Sequence, residues 1–267
     1  MALLSIDAFS NVFEPLRGKR IGFVQPIGNV GDELIIWATQ QMLCSFGIDW
    51  QMIQPDVQPD VDELVFGSGG NMGTLYQNNW ELRGQILRYG IPVTIFPQTF
   101  NSREDRPYHR VYVRERESLK YCEQGILAPD LALGLNYQTR TKPRHKLGVF
   151  LRKDPERRSK MRWFKRDPAK MCQRPTEYLE LAAQYERIIT DRLHFAISGL
   201  IVGRDVTLLP NSYHKNRSMH ETWLTALGCR FAETLKEAKS LYKSTKDRQQ
   251  LGYRKTYRAN RESATTH

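Results

Sequence analysis

The chain has 267 residues, 40% of them hydrophobic, and a formal charge of +11 from 40 Lys and Arg against 29 Asp and Glu. That apolar content can bury a sizeable core, and the length suits two compact lobes. No stretch approaches the ~20 consecutive apolar residues of a membrane helix, and no basic, apolar leader precedes Asp7, so a cytoplasmic protein without a secretory signal is expected.

After a short apolar N-terminal helix, Arg20 to Gln25 reads as a buried strand. A loop from Pro26 to Gly31 follows, and Asp32 opens an amphipathic helix that ends at Gly47, with Asp32 and Glu33 suiting its positive end. Glu63 to Phe66 is a second short strand, Gly67 to Gly73 a glycine-rich loop, Thr74 to Tyr89 a helix, and Val93 to Phe96 another strand. Lys142 to Arg144 is a candidate hinge. Beyond it come a strand at Lys146 to Leu151, a helix at Thr176 to Tyr185, a strand at Arg187 to Thr190 and a helix at Arg192 to Val202. A strand at Asp205 to Leu209 and a helix at His220 to Leu227 follow. Alternating strands and helices predict an α/β fold of two Rossmann-like lobes facing a cleft, the C-terminal lobe short. The expected division is 1–142, 143–235, and a basic C-terminal helix or tail at 236–267. Ligands collect at the carboxyl ends of parallel strands, where the loops carrying Asn29, Gly69, Arg152 and Arg192 should meet.

Charge is concentrated in two places. Residues 140–174 hold 14 Lys or Arg against three acids, and residues 236–267 hold nine against three. The rest of the chain is acidic, which fits an anionic partner such as a phosphorylated substrate, nucleic acid or a membrane surface, although a solvated face and frayed tail explain the last 20 residues equally simply. Cys44, Cys122, Cys172 and Cys229 lie too far apart for a zinc-type pair and read as reduced thiols, so no metal site is expected.

Four constellations carry potential chemistry. Gly28-Asn29-Val30-Gly31-Asp32 joins a strand to a helix, where glycines admit close backbone approach and the helix end favours an anion; a tight turn capped by Asp32 accounts for the same residues. Gly67-Ser68-Gly69-Gly70-Asn71-Met72-Gly73 lacks the Lys-Ser/Thr ending of an ATP loop and the third glycine of a dinucleotide fingerprint, leaving a substrate-approach loop or a merely flexible one. Arg152, in Leu151-Arg152-Lys153-Asp154, ends a strand and has a planar fork suited to a carboxylate or phosphate if it points into the cleft. In Thr190-Asp191-Arg192-Leu193-His194, two potentially cationic side chains stand at a helix start, a costly placement that an anionic ligand would offset.

Together these segments resemble the polysaccharide pyruvyl transferases in order and rough spacing. Further matches are Pro129-Asp130-Leu131-Ala132, Asn211-Ser212-Tyr213 with Lys215, and Glu221-Thr222-Trp223, so the likeness covers most of residues 20–224. His214 stands where family members often carry glycine. The resemblance implies a glycosyltransferase-B-like fold, phosphoenolpyruvate as donor, a sugar, oligosaccharide or lipid-linked oligosaccharide acceptor, and a pyruvate ketal in exported polysaccharide. It associates Arg152, Arg192, Leu193 and His194 with the donor, the N-terminal lobe being the acceptor side.

Phosphoenolpyruvate carries a carboxylate and a phosphate on one small frame, so its site needs two or three fixed cations; Arg152 and Arg192 suit, with Lys215 a third. The methylene carbon must be protonated before a hydroxyl can attack. His194 is the first candidate for acid and base, because histidine titrates near ~6.5, and Asp32 the second. Asn29, Gly31, Gly69, Gly70 and Asn71 form the expected substrate loops, with phosphoenolpyruvate as co-substrate and no resident cofactor. A nucleotide-sugar transferase of the same fold lacks a clear ribose-binding acid after Asp205. A nucleic-acid-binding protein fits the charge but lacks a recognition motif. Peripheral contact of the basic tail with an anionic membrane complements the transferase reading.

Overall fold

A computed structural model describes residues 2–158 and 166–242, apart from the side chain of Asn71; most of the basic tail lies outside the described residues. The N-terminal helix is a broken run of 3-10 turns around α1 (Ser10–Phe13), burying Phe9, Val12, Phe13 and Leu16. β1 (Arg20–Val24), fully buried from Ile21 onward, is the pivot of the first sheet. The chain leaves it through α2 (Val30–Ser45) to β2 (Asp49–Met52) on one side, then returns to β3 (Glu63–Phe66) on the other. Ile21 aligns with Trp50 and Val24 with Phe66, all in parallel.

Next come β4 (Gly69–Met72), α3 (Gln77–Leu87), β5 (Val93–Phe100), β6 (Arg110–Val113) and β7 (Ile126–Leu127). The first sheet thus has seven strands in the order β2-β1-β3-β5-β6-β7, with β4 paired to β5 beyond the end of β3. The glycine-rich segment is therefore partly a strand rather than a loop throughout. β5 runs on to Phe100, past its expected end, and its extra length gives Gly69 and Met72 partners in Gln98 and Phe100. α3 is also shorter than expected. Reversal of strand order beside β1 places a topological switch point at the carboxyl ends of β1 and β3, the place where such sheets bind ligands.

The second sheet contains β8 (Gly148–Phe150), β9 (Arg187–Thr190), β10 (Asp205–Leu208) and β11 (Arg230–Phe231), parallel and ordered β11-β10-β9-β8. α4 (Pro168–Met171) and α5 (Pro175–Ala183) lie between β8 and β9, and α6 (Leu193–Ile201) between β9 and β10. Residues 235–242 are helical, and Leu235, Ala238 and Leu241 pack with Leu151, Ile189 and Leu209, so the first part of the basic C-terminal segment is core-forming.

One hydrophobic core joins the two sheets. Leu34 and Ile35 of α2 belong to the same cluster as Phe150, Tyr178 and Phe195 of the second lobe and Leu131 and Leu133 of a 3-10 turn before it. α7 (Lys215–Met219), which runs into a π-helical turn at His220–Leu224, crosses back to the first lobe. Trp223 Nε1 donates to the Arg114 carbonyl at 2.6 Å, and Glu117 N to Ser218 Oγ at 3.1 Å. No helix among the described residues is long and apolar enough to cross a membrane.

Candidate active site

The carboxyl ends of both sheets face a cavity of about 350 Å3. Asn29, Gly31, Asp32, Gly70, Arg152, Arg192, Leu193, His194 and Lys215 all line it, so residues from five separated segments meet, as the strand-end rule leads one to expect. Gly69 does not line it; its backbone is in register with Gln98 in the β4–β5 pair. The backbone of Asn71 belongs to β4, and its side chain lies outside the described residues.

The start of α2 is closed by a reciprocal cap. Asn29 Oδ1 accepts from Gly31 N at 2.9 Å, while Asp32 Oδ2 accepts from Asn29 N at 2.8 Å and from Asn29 Nδ2 at 2.9 Å. Asn29, not Asp32, is the N-cap, and one Asp32 oxygen is fully engaged in the motif. Gly31 serves its neighbour across the cavity. A Cβ there would lie 3.2 Å from His194 Cβ and 3.3 Å from His194 Nδ1, so the bare backbone lets the imidazole seat against α2.

His194 occupies the second position of α6 and reaches the first lobe. Its Nε2 lies 3.2 Å from Asp130 Oδ2 and 3.3 Å from Arg114 Nη1, and Arg114 Nη1 donates to that same Asp130 oxygen at 2.7 Å. The other Asp130 oxygen caps the 3-10 turn Leu131–Gly134 through Ala132 N at 2.9 Å. Burial alone would raise the Asp130 pKa; His194 and Arg114 outweigh it and hold the carboxyl well below its usual range. The result is a buried carboxylate that orients a histidine across the two lobes.

The cations expected to hold an anion are themselves held. Arg192 forms a two-pronged pair with Asp167, at 2.9 and 2.7 Å, and its Nη1 meets Asp154 at 2.7 Å. Arg152 donates to Asp154 at 2.8 and 3.2 Å and to Glu156 at 2.6 Å. Lys215, Tyr76 and Asn211 also donate to Glu156. Burial opposes ionisation of Glu156, but Lys215 and Arg152 dominate and depress its pKa. Burial pushes Lys215 below the usual lysine range, against the pull of Glu156. Asp191 neither pairs with Arg192 nor caps α6. It accepts Arg152 N at 2.8 Å, and burial pushes its carboxyl up to about 6. Among the described residues, no group of three or more His, Cys, Asp or Glu could hold a metal ion.

Arg114, Asp130, Glu156 and Asp167 are site residues to which the sequence assigned no role. Asp130 lay inside a matched motif, and Glu156 in an exit segment of the kind that is ordinarily solvated. Arg114 follows β6, a strand the apolar pattern did not show, so its place at a strand end was invisible. For Asp167, 25 residues before its partner Arg192, there was no local signal.

The protein is thus an α/β protein with two parallel sheets and a cavity that combines buried cations with a carboxylate-oriented histidine. Residues 29–213 match the family described as polysaccharide pyruvyl transferase, well over half of the chain, and the protein belongs to that family. Its fold is similar to a crystal structure of a functionally uncharacterised protein from Klebsiella pneumoniae subsp. pneumoniae. The two share 24% identity and a TM-score of 0.67 over 83% of this chain and 95% of the other. No curated protein matches the chain.

Proposed function

We propose that the protein transfers the pyruvyl group of phosphoenolpyruvate to a pair of sugar hydroxyls, forming a pyruvate ketal, on a glycosyltransferase-B-like frame. Residues 1–142 then form the acceptor side, residues 143–235 the donor side together with the core-packed helix at 235–242, and the basic remainder of the chain is suited to an anionic membrane surface. The observation that carries this is the convergence of Arg152, Arg192, Lys215 and His194 on one cavity, with Asp130 behind the histidine.

The chemistry needs an acid first. His194 donates a proton to the methylene carbon of the donor, and one sugar hydroxyl adds to the adjacent carbon, which becomes tetrahedral and still carries phosphate. Loss of inorganic phosphate regenerates a cationic carbon, and the second hydroxyl closes the ketal. Of the two hydroxyl protons, one ends on the new methyl group by way of His194 and the other on the released phosphate. Asp130 stabilises the protonated imidazole and fixes its orientation. Asp32, engaged in the cap, is left with Oδ1 to assist the second hydroxyl.

Arg152, Arg192 and Lys215 hold the donor in this scheme, with Leu193 in the wall between them. Asp154 and Glu156, which pair with these cations, stand where ligand oxygens belong and give way as the donor binds. Asn29, Gly31, Gly69, Gly70 and Asn71 belong to the segments that approach the substrates. Thermal denaturation tests the donor assignment: phosphoenolpyruvate should raise the melting temperature while NAD and ATP leave it unchanged. Stabilisation by a UDP-sugar and none by phosphoenolpyruvate would replace this proposal with a nucleotide-sugar transferase.

A further inference from the structure

Arg114 enters the proposed transfer only through Asp130, yet its surroundings give it a second task. It follows β6 directly, and its side chain is buried to 1% exposure. Nε donates to Thr99 Oγ1 at 2.8 Å and Nη1 to Asp130 at 2.7 Å. Among the described residues, Nη2 has no hydrogen-bonding partner. Arg152 and Arg192 differ, since all three nitrogens of each meet carboxylates. Nη2 is therefore the guanidinium nitrogen left to donate to a group that enters the cavity, which Arg114 lines.

Gly70 leaves the space in front of two cations, Arg114 and Lys215, open. A Cβ on Gly70 would lie 3.0 Å from Arg114 Nη2 and 3.6 Å from Lys215 Nζ, and all three residues line the cavity. The bare backbone thus lets a ligand group approach over Gly70 toward both cations. We propose that Arg114 Nη2 and Lys215 Nζ together bind one anionic group of the substrate, a carboxylate or a phosphate, across the bare backbone of Gly70. This rests on the proposed transfer for the identity of the substrate. Because Arg114 Nη1 holds the Asp130 oxygen that faces His194, the bound anion and the proton donor are fixed through one rigid guanidinium.

The test is calorimetric titration of the wild type, Gly70→Ala and Arg114→Lys with phosphoenolpyruvate, inorganic phosphate and pyruvate. Gly70→Ala adds a methyl group 3.0 Å from Arg114 Nη2, so it crowds the space between the backbone and the bound anion without removing a charge. It should weaken phosphoenolpyruvate binding at least tenfold with an unchanged melting temperature, and Arg114→Lys should weaken it similarly. Whichever of phosphate or pyruvate loses affinity in parallel identifies the group bound. If the wild type binds phosphoenolpyruvate and Gly70→Ala binds it equally well, the Arg114 subsite is wrong and the donor assignment stands. If the wild type binds phosphate but not phosphoenolpyruvate, and Gly70→Ala weakens phosphate, the subsite stands and the donor assignment fails. Binding of none of the three probes overturns both.

Discussion

On the wall contributed by the second sheet, Arg152, Arg192 and Lys215 are each tied to carboxylates of their own lobe: Asp154, Glu156 and Asp167. The wall from the first sheet includes bare backbone at Gly28, Gly31 and Gly70 and the side chain of Arg114, with Asp130 behind it. One wall is a self-neutralised lattice of charges; the other offers space. His194 crosses from the first kind of wall to the second, and its orientation depends on a carboxylate of the opposite lobe. Charge is therefore pre-placed on one side and chemistry is assembled across the seam, over a core that both sheets share.

Breaking the seam should have the largest effect. His194→Ala is expected to lower turnover ~100-fold to 10,000-fold with little loss of donor affinity, because it removes the proton donor and none of the fixed cations. Asp130→Asn keeps the shape and loses the charge; turnover should fall less, about 10-fold to 100-fold, because the carboxylate that orients the imidazole is gone. Steady-state phosphate release across pH 5 to 9 separates the two variants.

The lattice wall should respond with opposite signs in stability and binding. Glu156→Gln removes the carboxylate shared by Arg152 and Lys215, so the unliganded protein should lose on the order of 3 kcal/mol, the usual cost of leaving a buried charge unpaired. The freed cations should bind phosphoenolpyruvate more tightly, so added donor should recover much of the lost melting temperature. A variant that is destabilised and also binds donor less well would show that Glu156 does not occupy the ligand's place.

Asp191 sharpens the contrast within that wall. Its folded-state pKa, raised by burial to about 6, lies above the unfolded value, so the folded state binds more protons between roughly pH 4 and 6. The stabilisation is fully present below that window and is lost as pH rises through about 6, on the order of 3 kcal/mol. Asp191→Asn keeps an acceptor for Arg152 N and removes the charge. It should melt higher than the wild type at pH 8, with the difference shrinking toward pH 5. The smallest effect belongs to Gly31→Ala. Alanine favours the helix by about 1 kcal/mol, but its methyl presses on His194, so a several-fold loss of turnover with no loss of melting temperature is expected.

How much of this could be read from the chain follows from where each signal resides. β1, β3, β8, β9, β10 and the helices after β1 and β9 were visible because apolar runs and glycine stops are local, and they sufficed to bring the loops carrying Asn29, Arg152 and Arg192 to one cavity, while Lys215 was legible only as a further cation. β2, β6, β7 and β11 were not, because two are only two residues long and β2 is largely exposed. The glycine-rich segment looked like a loop because its strand character depends on the extra length of β5. The partners of the cations were hidden for a related reason: Asp167 and Arg192, or Glu156 and Lys215, meet only through the tertiary fold. Cationic residues announce an anion site from sequence, whereas the carboxylates that neutralise them do not.

Incubation of the protein with phosphoenolpyruvate and a panel of sugar and lipid-linked oligosaccharide acceptors, with phosphate release and acceptor mass followed together, tests the central claim most directly. The account predicts one phosphate released for each acceptor that gains a pyruvate ketal, and neither signal with His194→Ala. Ketal formation at an undiminished rate by His194→Ala, or turnover of a nucleotide sugar in place of phosphoenolpyruvate, would contradict it.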